Sequence, residues 1–241
     1  MPCFFAFAHR FSAFTKSNRL LLCVALGAFL GPVAAHAQFG TPSGGTKVRD
    51  ASSLRPPAGA RVAMIEFADM ECPICGVENP TIKAAAAKYR IPWLRHDFPL
   101  PYHAWSFEAA VNARWFDAKS KALGDEYRDQ VFANHTSIYN PSVLHQFTAK
   151  FAASQHIALP FAIDPQGKLA AEVKADQALA QRIGIDHTPT IFIVTNNKAV
   201  PFLEVNHVEQ DLYRVIDQAF AATASSRSGS TKAAARKSAG K

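Results

Sequence analysis

The chain has few cysteines, and they are unevenly placed. Four occur in 241 residues, and two of these, Cys3 and Cys23, lie near the amino end. Only Cys72 and Cys75 remain in the body, which excludes a small scaffold stapled by several disulfides. No second cysteine pair accompanies them, and no histidines stand at H-x3–5-H spacing. A zinc site built on this pair would need two ligands from far along the chain. Acidic residues are missing from both ends. Residues 1–37 hold Arg10, Lys16 and Arg19 with no acid, and residues 225–241 hold five basic residues with none. The formal charge of +7 therefore belongs to the ends and leaves the body at −1. A nucleic-acid-binding body has no support from that balance, and no specific nucleic-acid partner is expected. The apolar run Leu20–Leu30 is eleven residues long, short of the roughly 20 that a membrane helix needs. No internal repeat is visible.

What is present at the amino end reads as an export signal. A basic stretch precedes the run "LLLCVALGAFL", Gly31-Pro32 breaks any helix, and Ala35-His36-Ala37 supplies a small-x-small cleavage pattern. Residues 1–37 are expected to be a signal peptide cleaved after Ala37, with an uncleaved anchor as the alternative. Either way the body would lie outside the cytosol, in the periplasm or another extracytoplasmic space. Residues 38–58, rich in Gly, Pro and Ser, read as a flexible linker.

Apolar residues make up 49% of the chain, enough for one packed domain, placed at 59–222. "RVAMIEFAD" reads as a buried strand, "VENPTIKAAAAKYR" as a helix that Pro80 should kink, and "PWLRHDFPL" as a second strand. A helical block of three or four helices follows, over about 103–184. "TIFIVT" and "AVPFLEV" around "NNK" read as a hairpin, and Val208–Ala222 as a last amphipathic helix. Residues 223–241 are expected to form a disordered basic tail. A strand–helix–strand opening implies a parallel pair with a right-handed crossover. Functional loops in such sheets sit at the carboxyl ends of the strands. Cys72 lies there, at the start of the first helix.

A C-x-x-C can be half of a zinc site, a structural disulfide, or a reactive thiol pair. A structural bridge over so short a loop stabilises little. The helix N-terminus favours the third reading, because its positive end and free N–H groups lower a thiol's pKa. The thiolate is the species that attacks disulfides. Cys72 is then the exposed nucleophile, Cys75 the resolving thiol one turn further in, and Pro73 suits a first-turn position. Glu66, an acid inside an apolar strand six residues before Cys72, is costly to bury without a role. Asp69 and Glu71 are expected to be solvated loop acids. His103 is expected to cap or pack the helical block, and His187 could tune the site. Trp93, Trp105 and Trp115 are expected in helix and core packing.

The strand "AMIEFAD", then "ECPICG", Pro80, "FPLPYH" ahead of a helical block, and "IDHTPTIFIV" together resemble the DsbA-like thiol–disulfide oxidoreductases of the thioredoxin superfamily. The resemblance covers roughly residues 58–222. It implies an α/β thioredoxin-like fold with an inserted helical block, no cofactor and no metal. It implies a cis Pro189 beside the cysteines, with Thr188 offering its backbone to an extended substrate and with Pro73 and Ile74 also at the substrate surface. It implies that Glu66 relays protons to Cys75, and that its pKa is raised by burial. Substrate proteins with thiols or disulfides are the implied partners, together with a membrane redox partner, either a quinone-linked oxidase or a reductase. A monomer is expected. The strongest oxidases of the group carry a histidine where this chain has Ile74, so Cys72 should have a lowered pKa, but less lowered than theirs. Oxidation of substrates is the expected direction. Reduction by the same residues, or a non-catalytic binding domain using the helical block, are the alternatives. An isomerase would need a separate dimerisation domain, for which residues 38–58 leave no room.

Overall fold

A computed structural model describes residues 45–238, so the expected signal peptide and the first part of the expected linker lie outside the described residues. Four strands form one sheet in the order β2-β1-β3-β4. β1 (Val62–Ala68) is central and buried along its whole length. It pairs in parallel with β2 (Trp93–Asp97) and antiparallel with β3 (Thr190–Thr195). β4 (Phe202–Val205) closes the β3 hairpin at the edge. The parallel pair is joined by α1 (Pro73–Tyr89), the crossover that the strand–helix–strand pattern implies.

Side chains of β1 alternate between faces. Val62 and Met64 pack with Ile82 and Ala85 of α1 and with Leu212 and Ile216 of α6 (Val208–Ser238). Ala63, Ile65 and Phe67 pack on the other face, with Ala180 and Ile183 of α5 (Lys168–Ile183). Glu66 therefore shares the α1 face with Met64. A third cluster fills the helical block and includes both cysteines. The block contains α2 (Ser106–Asp117), α3 (Lys121–Asn134), a 3-10 turn at His135–Ser137, and α4 (Pro141–Ser154), with α5 last.

Capping residues set the helix boundaries. The Ser120 side chain accepts from the Leu123 N–H and the Asn140 side chain from the Val143 N–H, with Pro141 at the first helical position. Gly184 ends α5 in a left-handed conformation (φ 103°) that a side chain would strain.

Three boundaries differ from expectation. α1 begins at Pro73, four residues before Val77, because proline is preorganised for a first turn, and it continues through Pro80. The segment expected as a linker is laid against the body from Gly45 on. Leu54 is buried, the Arg49 N–H bonds the Ile183 carbonyl at 2.7 Å, and Thr46 bonds Glu204. Two apolar residues, Val48 and Leu54, anchor this otherwise polar stretch. α6 runs to Ser238, past Ala222, so the tail expected to be disordered is helical in its backbone; its alanines favour that state.

Candidate active site

The first turn of α1 and the loop before β3 meet at the carboxyl end of β1. Cys72 is the N-cap of α1, with φ −74° and ψ 118°, and no side chain caps the helix there. Its Sγ is thus left at the positive helix end. Cys72 is itself buried, at 7% exposure, rather than exposed as expected, because its turn packs into the cluster of the helical block and against the Thr188 loop; Cys75 is fully buried one turn on, and both cysteines are free thiols. The Thr188-Pro189 peptide bond is cis. The Cys72 thiol donates to the Thr188 carbonyl at 3.5 Å.

The two thiols are driven apart in acidity. A hydrogen bond from the Cys75 thiol brings the Cys72 pKa down to about 5 from 9.0. Burial opposes this, while the Thr188 side chain and the backbone N–H groups of Cys75 and Ile74 assist it. The Thr188 hydroxyl is buried with no hydrogen-bond partner among the described residues. Cys75 moves the other way. Burial raises its pKa well above normal, and the bond to Cys72 and the charge there hold its proton further.

Glu66, in the middle of β1, is fully buried. Burial raises its pKa, against Arg95 and a hydrogen bond from Trp93. Trp93 Nε1 donates to Oε2 at 2.9 Å, and Arg95 Nε stands 3.8 Å from the same oxygen. Both partners come from β2, where Arg95 is in register with Glu66. Oε1 has no partner among the described residues. This carboxyl can hold or release a proton in a dry setting, and its charge reaches the Cys75 thiol.

Two acids expected in solvent are not there. Asp69 is buried, accepting from the Leu100 N–H at 2.6 Å and the Glu71 N–H at 2.8 Å, with His103 Nδ1 at 2.7 Å. Its own carbonyl accepts from the Cys72 N–H at 3.0 Å. Glu71 Oε2 accepts from the N–H groups of Trp105 and Ser106 at 2.7 and 3.0 Å, capping α2. The turn that carries Cys72 is therefore tied to the entrance of the helical block by hydrogen bonds that sequence spacing did not reveal. His103 packs there as the partner of Asp69. His187 is half-exposed and faces Asp186 at 3.0 Å. Trp105 is buried in the helical cluster and Trp115 packs against it, whereas Trp93 also serves Glu66.

Sequence reasoning also missed a buried charge network. Arg128 on α3 reaches Asp97 at 2.6 Å and Asp117 at 2.8 Å. Arg114 joins Asp97 at 2.9 Å, and Asp97 falls to about 2 despite burial because Arg128 and Arg114 surround it. An arginine on the apolar stripe of α3, beside Tyr127 and Val131, was the available signal.

Beside Cys72 opens a cleft of about 540 Å³, lined by Ile74, Glu78, Thr188, Pro189 and Val208 among others. Ile74 is 54% exposed at its mouth. Sequence reasoning had singled out Ile74, Thr188 and Pro189, and had missed Glu78. Among the described residues no three His, Cys, Asp or Glu side chains stand together as a metal site, and no helix is long and apolar enough to cross a membrane.

Residues 57–218 match the family model described as thioredoxin, and the chain belongs to that family. Among solved structures it is similar to alpha-DsbA1 of Wolbachia pipientis, at 19% identity and a TM-score of 0.57, covering 71% of this chain and 92% of that one. DsbA2 of Pseudomonas aeruginosa aligns at 21% identity and TM-score 0.52, covering 68% and 91%. ScsC of Proteus mirabilis, in a transitional conformation, aligns at 16% identity and TM-score 0.53, covering 69% and 71%. No curated protein matches the chain. The fold is thus a DsbA-like thioredoxin fold with a helical insert, as the sequence motifs implied.

Proposed function

We propose that the protein is an exported thiol–disulfide oxidoreductase that oxidises substrate thiols through a Cys72–Cys75 disulfide. The observation that carries this reading is the placement of Cys72 at the N-terminus of α1 against the Thr188 carbonyl, with Cys75 buried one turn further in and the acidities of the two thiols opposed. A substrate thiolate attacks Cys72 Sγ, the Cys72–Cys75 bond breaks, and Cys75 leaves with the electron pair and takes up a proton. Glu66 supplies that proton and regains one from solvent. A second substrate thiolate then attacks the substrate sulfur of the mixed disulfide and expels Cys72 as a thiolate, which the helix end stabilises. Two electrons have passed to the enzyme, and the substrate holds a new disulfide.

Thr188 offers its backbone to the substrate chain as a short added strand, with Pro73, Ile74 and Pro189 forming the surrounding surface. The protein acts as a monomer, and residues 1–37 direct it out of the cytosol. A quinone-linked membrane protein reoxidises it.

The direction of exchange rests on potential. Equilibration in glutathione buffers measures it. The depressed Cys72 pKa favours the reduced form, so the expected value lies well above about −270 mV, toward the roughly −120 mV of a strong oxidant. A value at or below about −270 mV would make the protein a reductant.

A further inference from the structure

The cleft beside Cys72 contains one carboxylate with no hydrogen bond or ion pair among the described residues, although Arg214, His187 and His207 also line the cleft. Ile74 and Glu78 stand one turn apart on α1 and both line the cleft. The other acids of the cleft are engaged. Glu204 accepts from the Thr46 N–H at 2.8 Å and from its hydroxyl at 2.6 Å, and Asp211 pairs with Arg214 at 2.7 Å. Glu78 has no hydrogen bond or ion pair among the described residues, and the charges that reach it, Cys72, Glu209 and Glu66, are all negative. Burial and these neighbours push its pKa up to about 7. A cation arriving in the cleft would relieve that repulsion.

Ile74 supplies the complementary half. Its exposed side chain lies between Cys72 and Glu78 along α1. Lysine and arginine carry an apolar stem and a charged head, and bury the stem while the head finds its partner. A stem laid on Ile74 would bring its head to Glu78.

We infer that Glu78 is a specificity residue: the cleft prefers thiol substrates with a lysine or arginine beside the reacting cysteine, the stem on Ile74 and the charge on Glu78. This rests on the exchange reading above and adds a substrate class to it. An acidic residue at the same place would meet Glu78 and Glu209 and be disfavoured.

The test uses the oxidised full-length protein at pH 8, where Glu78 is ionised. Dithiol peptides differ only in the residue after the first cysteine: lysine, glutamine or glutamate. The readout is the ratio of kcat/KM for the lysine peptide to that for the glutamine peptide, compared between wild type and Glu78→Gln. Differences in peptide thiol reactivity, and any general change in Cys72, cancel in that comparison. The expected ratio falls about five-fold in Glu78→Gln, the upper range for a partly exposed ion pair. Glu78→Lys reverses the preference in favour of the glutamate peptide. The wild-type preference also collapses as salt rises from about 0.01 M to about 1 M, because the Debye length shrinks from about 30 Å to about 3 Å. Equal ratios in wild type and both variants overturn the role of Glu78 and leave exchange intact. Failure to oxidise any peptide overturns the exchange reading, and the specificity falls with it.

Discussion

Lowering the pH from 7 to 4 should cost the reduced protein stability that the oxidised protein does not lose. The cause is Cys72, whose pKa is about 5 in the fold against an ordinary 9.0. A depressed pKa contributes stability that is fully present above the unfolded value and disappears as pH falls through the folded one. At pH 7 Cys72 is ionised in the fold and protonated in the unfolded chain, a contribution of about 3 kcal/mol at roughly 1.4 kcal/mol per pH unit. By pH 4 that contribution is almost gone. The oxidised protein has no such thiolate, and its four-residue disulfide loop contributes about 2 kcal/mol at any pH. Cys75 keeps its proton throughout this range, because burial raises its pKa. Glu66 is present in both redox forms and largely cancels in the difference, whereas Glu78, whose pKa the Cys72 charge helps raise, offsets part of the gain in the reduced form. The assay is urea unfolding of both forms across this pH range. At pH 4 the oxidised form should be the more stable, by about 2 kcal/mol. At pH 7 the reduced form should have gained about 3 kcal/mol relative to it. The same thiolate stabilisation corresponds to about 60 mV in the two-electron potential at pH 7. A stability difference that stays flat between pH 4 and 7 would refute the assignment of a depressed pKa to Cys72.

Three further outcomes are expected. Glu66→Gln should be more stable than wild type at pH 8, with the gap closing near pH 4. Burial raises the Glu66 pKa, so the folded state is penalised as pH rises above the unfolded value, and glutamine escapes that penalty while still accepting from Trp93; urea melts at the two pH values check it, and an equal gap at both would contradict it. Arg128→Ala should lose about 3 kcal/mol, the low end for breaking a buried pair because Arg114 still faces Asp97; a loss under about 1 kcal/mol by thermal or urea unfolding would mean that the network is not holding α3 to β2. Asp69→Asn should lose about 1–3 kcal/mol, since asparagine has one acceptor oxygen where the carboxylate uses one for Leu100 and His103 and the other for Glu71. An unchanged unfolding midpoint would show that those bonds are not holding the turn that carries Cys72.

Much of the site was legible because its signals are local. A Pro after Cys72 marks a helix start, and an acid within "AMIEFA" stands out against apolar neighbours. The alternation that buried Met64 also placed Glu66 on the α1 face. Thr188-Pro189 was readable only through the family resemblance, since 116 residues separate Thr188 from Cys72 and no period in the sequence joins them. The acids Asp69 and Glu71 were misjudged for a related reason. Their partners, Leu100, His103, Trp105 and Ser106, lie across the β2–α2 connection, and a loop acid looks the same in sequence whether it faces water or a helix end. Arg128 and Asp97 come together only through the packing of α3 on β2. Glu78 reads as an ordinary exposed helix residue until the cleft is built around it.

The central claim is that Cys72 and Cys75 exchange disulfides with protein thiols. Its most direct test mixes the oxidised protein with a reduced, unfolded protein substrate and counts the disulfides transferred per enzyme. One disulfide per oxidised pair is expected, with a mixed disulfide trapped at Cys72 in Cys75→Ser and no transfer by Cys72→Ser. No transfer by the wild type, or transfer by Cys72→Ser at the wild-type level, would contradict it.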